Sequence, residues 1–146
     1  MVQLATATPV AHLRALVRQL LAKTEARAAN WVSRRVPTTP NQFPYELALP
    51  DSRVLLWYAT PVLLPDSITL ALQNAEGETV DEWHVEQPDF DPDAGETLES
   101  ADPDGDWRLL YALFAQVHRQ ATGYDRVITD VEKALAELGV IGKPAR

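Results

Sequence analysis

The residues with the clearest potential for chemistry are the acidic side chains of one segment, EQPDFDPDAGETLESADPDGD, at residues 86–106. The segment holds nine Asp or Glu and no basic residue, and Asp89, Asp91 and Asp93 alternate as calcium ligands often do. An EF-hand loop requires glycine at its sixth position and glutamate at its twelfth. Counted from Asp89, glycine is seventh and glutamate eleventh, so the segment does not fit an EF-hand. We expect no dedicated metal site and no cofactor.

The sequence contains no recognisable catalytic motif. It has no phosphate-binding glycine loop, no dinucleotide-binding fingerprint, no nucleophile elbow and no cysteine. His12, His84 and His118 stand at no metal-ligand spacing, and each is interpreted as a solvated surface histidine. The sequence therefore predicts a protein that is not an enzyme, with no catalytic residue.

Charge divides the chain into three parts. Residues 1–53 carry a net charge of +4, residues 54–106 carry −14 with no Lys or Arg, and residues 107–146 carry +2. Direct binding of nucleic acid is not expected, because it requires clustered basic residues. The acidic block instead predicts a protein partner with a basic surface. A rival interpretation is that the block lies against the basic ends of its own chain.

The predicted contact surface combines these acids with aromatic anchors. Trp83 lies in a predicted edge strand, Phe90 in the acidic segment and Trp107 at the start of a helix. Exposed aromatic residues often anchor a protein partner, although both tryptophans are equally suited to covering a sheet. The candidate partner-binding residues are Trp83, Asp89, Phe90, Asp91, Asp93, Asp102, Asp104 and Trp107.

The N-terminal element that must support this surface is a helix predicted over residues 9–30. Thr8 and Pro9 are typical of a helix start. Apolar residues then recur at helical spacing up to Trp31, which is predicted to close the stripe as a core residue. A proline-rich connector follows.

Residues 43–86 predict a β-meander of four antiparallel strands. The strands are YELAL, the continuously apolar VLLWYAT, the alternating SITLALQ and ETVDEWHVE, joined by short turns. Trp57 in the apolar strand is predicted to lie in the core. Neither face of the last strand is uniformly apolar, which predicts an edge strand.

Residues 87–106 predict a mobile acidic loop, and residues 107–139 predict a pair of amphipathic helices. Asp106 and Asp125 are the expected caps of the two helices, and Gly123 separates them. The whole chain, residues 1–146, is thus expected to be one α+β domain. It would contain an N-terminal helix, a four-stranded antiparallel meander and two C-terminal helices.

The C-terminal third resembles a group of small bacterial proteins that also run helix, β-meander, acidic loop and helix pair. Leu110, Leu113 and Phe114 carry the resemblance, followed by RQATGYD, in which the matching residues are Arg119, Gln120, Ala121, Gly123 and Asp125. The resemblance covers about 30 residues well and implies the fold and a bacterial source. It implies no activity.

These observations predict a non-enzymatic protein-interaction module: a bacterial accessory, adaptor or immunity-type protein that uses an acidic surface. The alternatives are a small-ligand or cation-binding domain and an acidic mimic of nucleic acid. We expect a cytoplasmic protein, since the absence of cysteine fits a reducing cytosol. We also expect that it is not inserted in a membrane, because no apolar run approaches the length of a membrane span. The helix pair also makes a homodimer conceivable.

Overall fold

A five-stranded antiparallel sheet forms the centre of the computed structural model, which describes residues 9–34, 42–137, 139, 140 and 142. The strands neighbour one another in chain order, so the predicted meander is confirmed, with five strands instead of four. The elements are α1 (Pro9–Glu25), β1 (Trp31–Ser33), β2 (Gln42–Ala48), β3 (Ser52–Ala59), β4 (Ser67–Asn74), β5 (Thr79–Glu86), a short 3-10 helix (Pro92–Ala94), α2 (Leu98–Ala101), α3 (Asp106–Thr122) and α4 (Tyr124–Glu137).

The additional strand, β1, arises where the first helix was predicted to continue. Helix α1 ends at Glu25 instead of residue 30, because Arg27 adopts a left-handed conformation with φ of 58°. Trp31 then pairs with Leu47 of β2, and its indole N–H donates to Thr24 Oγ1 at 3.0 Å. Trp31 is therefore a core residue, as predicted, but it lies in a strand and not in a helix.

One face of the sheet supplies half of the core. Tyr45, Leu56 and Leu70 are opposed across β2, β3 and β4, and Leu70 in turn opposes Trp83 of β5. Helix α3 covers this face, since it contacts all five strands and also packs against α1. Residues Leu110, Leu113 and Val117 of α3 are fully buried there.

The other face of the sheet carries no helix in the described part of the chain. Trp57 lies on this face between Pro44 and Thr69 and is only half-buried, so its predicted place in the core is wrong. The continuous apolar pattern of β3 suggested burial on both faces, whereas helices cover only one. β5 is an edge strand, as predicted.

Candidate interaction surfaces

The acidic segment is ordered by its own side chains and is not the structureless loop that its composition predicted. Asp91 accepts the backbone N–H of Asp93 at 3.0 Å and caps the 3-10 helix. Thr97 and Ser100 then form a capping box at the start of α2. Local caps thus fold a segment that hydrophobic burial alone would not organise.

The end of the acidic segment is paired within the chain. Asp102 is buried, accepts the backbone N–H groups of Trp107 and Arg108, and forms an ion pair with the Arg108 side chain at 3.1 Å. The Asp106 carboxylate accepts hydrogen bonds from Nε and Nη2 of Arg14 at 2.6 and 3.1 Å. The exposed Asp104 carboxylate lies 3.7 Å from the same guanidinium. Of the two acids here that were predicted to contact a partner, Asp102 is thus used internally, whereas Asp104 stays exposed beside a cation of its own chain.

These pairings have electrostatic consequences. Burial opposes ionisation of Asp102, but the hydrogen bonds from Arg108 and Trp107 outweigh it, and the pKa of Asp102 lies below its ordinary value. The hydrogen bond to Asp106 raises the pKa of Arg14. Asp106 is not the cap of α3 as predicted, because it is already the first residue of that helix and Gly105 occupies the N-cap position. The Asp102 carboxylate accepts the N–H groups of the first turn instead.

The acidic residues that precede this paired group have no cationic partner in the part of the chain that the structure describes. No ion pair in residues 9–34 and 42–137 involves any of the ten Asp and Glu residues from Glu76 to Glu99. Seven of them are exposed on β5 and on the segment that leaves it, and two of these seven, Asp91 and Glu96, accept local backbone hydrogen bonds, which leaves five. We call these residues the acidic edge: Glu82, Glu86, Asp89, Asp93 and Glu99.

The predicted aromatic anchors lie mostly inside the protein. Trp83 is 7% exposed and Trp107 is 3% exposed. Trp83 points to the helix-covered face of the sheet, and the ring of Trp107 packs against Tyr58 at 6.0 Å between centroids. Phe90 is half-buried. The two tryptophans are therefore inaccessible to a partner in this fold, which leaves Asp89, Asp91, Asp93 and Asp104 as the exposed part of the predicted surface.

The two edges of the sheet differ in accessibility. β1 has three residues, and Gln120 of α3 accepts the backbone N–H of Trp31 and donates to the carbonyl of Ala29. β5 has eight residues. In the described chain, no other strand pairs with its outer side, and the N–H of Glu82 is satisfied by the Asp81 carboxylate at 2.9 Å. The accessible edge is thus the one that carries the acids.

A small cavity lies where the acidic segment meets α3. It has a volume of about 370 Å³, and its wall includes Tyr58, Trp107 and Tyr111 together with Gln87, Leu98 and Arg108. The Tyr58 hydroxyl donates to Asp66 at 2.6 Å, and burial followed by this bond raises the pKa of Tyr58. The sequence did not reveal this cavity, because its lining residues come from four separate parts of the chain.

The histidines differ from one another. His12 is exposed, as predicted. His84 bonds the Thr69 hydroxyl at 2.8 Å on the open face of the sheet. His118 is half-buried, bonds the Tyr45 hydroxyl and stacks on Phe114, so its prediction as a solvated surface residue is wrong.

Helix α4 exposes the apolar side that its sequence predicted. Its five largest apolar residues are 39–60% exposed, and the helix buries no residue. We call these residues the α4 stripe: Tyr124, Val127, Ile128, Val131 and Leu135. Asp125 does not cap the helix as predicted. It lies in the first turn and pairs with Arg119 at 2.6 Å, and this bond lowers its pKa.

Within the described residues, no group of three or more His, Asp or Glu side chains is placed to hold a metal ion. No described helix combines the length and apolarity needed to cross a membrane. Neither a family model, nor a curated protein, nor a solved structure matches this chain. The resemblance of the C-terminal third to small bacterial proteins, the bacterial source and the cytoplasmic location stay predictions.

Proposed function

We propose that this chain is a non-enzymatic protein-interaction module whose acidic edge binds a basic protein partner. The observation that carries the proposal is the lack of ion pairs, among the described residues, for the ten acids from Glu76 to Glu99, although three nearby acids from Asp102 to Asp106 are paired. Uncompensated charge of one sign creates a long-range field that accelerates association with an oppositely charged surface.

The position of this charge beside β5 supports a contact along the strand. An exposed strand edge offers unpaired backbone groups to an incoming strand. Carboxylates such as Glu82 and Glu86 oppose pairing with a second acidic copy and favour a segment that carries Lys or Arg. The acids therefore act as a filter for the partner as well as a source of attraction.

Charge reversal tests the proposal. The double variant Asp89→Lys/Asp93→Lys replaces two exposed side chains. Neither of them accepts a hydrogen bond from another described residue. Glu25→Lys/Asp51→Lys is a matched control with the same charge change away from the acidic edge. Both variants should retain the unfolding midpoint of the original protein.

The measurement is affinity capture from the native host, followed by calorimetry with the purified partner. We expect the first variant to weaken binding by about tenfold at low salt and the control to have a much smaller effect. Raising the salt should weaken the binding of the original protein, because the Debye length falls from about 10 Å at 0.1 M to about 3 Å at 1 M. Equal affinity of the two double variants would refute the role of the acidic edge.

A second candidate function is the binding of a small aromatic anion in the cavity beside α3. The cavity of about 370 Å³ lies within the range of small-molecule sites, and its tyrosine and tryptophan rings could stack on a flat ligand. Arg108, whose side chain is 41% exposed, is the cation at its wall. Such a ligand would place its ring against Tyr111 and its charge near Arg108.

Nuclear magnetic resonance with 4-hydroxybenzoate as the probe tests this candidate. Saturable shifts should be confined to residues around the cavity and should disappear in Ala112→Phe, which fills it from α3. The matched control is Ala115→Phe, a half-buried position of the same helix that does not line the cavity. Shifts that persist in Ala112→Phe would exclude this site.

A further inference from the structure

The α4 stripe is a second surface that the acidic edge does not explain. An amphipathic helix usually buries its apolar side, yet every member of this stripe is at least 39% exposed. The acidic segment enters α3 at Asp106, and α4 leaves α3 after Thr122. At 1.5 Å per residue, the length of α3 separates the two ends by about 25 Å.

The start of α4 is held in place by the end of α3. Gly123 adopts a left-handed conformation, and its N–H bonds the carbonyls of Arg119 and Gln120. The Arg119 guanidinium lies 5.0 Å from the centre of the Tyr124 ring and also pairs with Asp125. These contacts fix the junction, so the stripe is presented in a defined direction relative to α3.

Acidic residues flank the stripe on both sides. With about 100° of rotation per residue, Glu132 falls on one side of the stripe and Asp130 on the other. Arg126, Lys133 and Glu137 fall on the opposite face of the helix. Among the described residues, neither flanking acid forms an ion pair.

This arrangement argues against a second copy of α4 as the occupant. Two identical stripes packed together would bring acidic flanks against acidic flanks, and like charges at such positions are destabilising. The chain as a whole carries a net charge of −8, which adds to the repulsion between copies.

We propose that α4 inserts its stripe into an apolar groove of a protein partner whose rims carry Lys and Arg. Helices that bind grooves do so through anchors at i, i+3, i+4 and i+7, and Tyr124, Val127, Ile128 and Val131 have this spacing. The basic rims would pair with Glu132 on one side and with Asp130 on the other. This inference concerns a different surface from the acidic edge and does not depend on it.

Two designed helical hairpins serve as probes. Each has a leucine-lined groove of the same shape, with Lys at the rims in one and Glu in the other. Calorimetry with the full chain at 0.15 M NaCl should show at least tenfold tighter binding to the Lys-rimmed hairpin. The Val131→Ala/Leu135→Ala variant should lose at least tenfold in affinity, because it removes two exposed anchors without disfavouring the helix.

Two further variants separate the possible outcomes. Thr129→Ala/Lys133→Ala, on the opposite face of α4, should bind the Lys-rimmed hairpin undiminished. Asp89→Lys/Asp93→Lys should also bind nearly as well, because those charges lie beyond the Debye length of about 8 Å at this salt concentration. The experiments can therefore refute the proposal for the acidic edge and the proposal for the α4 stripe independently of each other.

Three results would overturn the inference. The first is equal affinity for the two hairpins, which would show that the charge of the rims does not determine binding. The second is a dimer in sedimentation equilibrium that Val131→Ala/Leu135→Ala dissociates, which would make a second copy the occupant. The third is binding to phosphatidylcholine vesicles in preference to the Lys-rimmed hairpin, which would assign the stripe to a lipid surface.

Discussion

Helices α3 and α4 follow one another in the chain and are both amphipathic, but only α3 buries its apolar side. Helix α3 places Trp107, Leu110, Leu113 and Val117 against the sheet, whereas α4 buries no residue. The two helices are separated by the single residue Gly123. The comparison teaches that amphipathic periodicity selects a helix and the direction of its apolar side, but whether that side is covered depends on the rest of the fold.

The largest expected contrast comes from replacing a leucine in each helix. Leu110 is 0% exposed, so Leu110→Ala should lower the free energy of unfolding by about 3 kcal/mol through lost burial and the cavity left behind. Leu135 is 60% exposed, and Leu135→Ala should change stability by less than about 0.5 kcal/mol. Urea denaturation followed by circular dichroism measures both values.

A comparable loss in both variants would contradict this contrast. It would mean that α4 is packed against something in solution, either its own chain or a second copy. Repeating the measurement at two protein concentrations separates these cases, because only association makes stability depend on concentration.

The sequence predicted α3 and α4 as helices because each carries apolar residues at regular three- and four-residue intervals. It did not predict where α1 ends. Trp31 continues the spacing of the α1 stripe, and only the left-handed conformation of Arg27 moves it into a strand. A three-residue strand has too short a pattern to be recognised by alternation, and its stability comes from pairing with β2.

The candidate surfaces were predicted only in part. The concentration of acids can be read from composition, but only Asp89 and Asp93 of the acidic edge were among the predicted contact residues. The internal use of Asp102 could not be read, because its hydrogen bonds cross a bend at Gly105 to reach the first turn of α3. The cavity depends on Tyr58, Leu98 and Trp107, which only the tertiary fold brings together.

Asp102 and Asp125, the carboxylates near the starts of α3 and α4, should make different contributions to stability. Asp102 is 6% exposed and satisfies two backbone N–H groups of α3, so Asp102→Ala should cost about 2 kcal/mol of stability. The Asp125 side chain is 55% exposed, and Asp125→Ala should cost clearly less, because water can replace its partners. The midpoint of urea denaturation gives both values, and equal losses would refute the distinction.

The stability contribution of Asp102 should also depend on pH. The pKa of Asp102 lies below its ordinary value of 3.8, so its ionised form is favoured by folding. Its contribution is fully present above the unfolded-state pKa and is lost as pH falls through the lower folded-state pKa. The stability difference between the original protein and Asp102→Ala should therefore narrow between about pH 5 and about pH 2. A difference that stays constant over this range would exclude a role for the ionised carboxylate.

The smallest expected effect lies at the junction between the two helices. Gly123 has a φ of 68°, a conformation that costs other residues about 1 kcal/mol, so Gly123→Ala should lower stability by about that amount. The added Cβ would come within 2.9 Å of an Arg126 side-chain nitrogen, which can move away. Gly139→Ala is the matched control, since Gly139 has no positive φ and no atom lies within 4 Å of an added Cβ. Urea denaturation should separate the two variants. If Gly123→Ala leaves stability unchanged, the left-handed turn is not what holds α4 in its direction away from the sheet, and its exposed stripe needs another explanation.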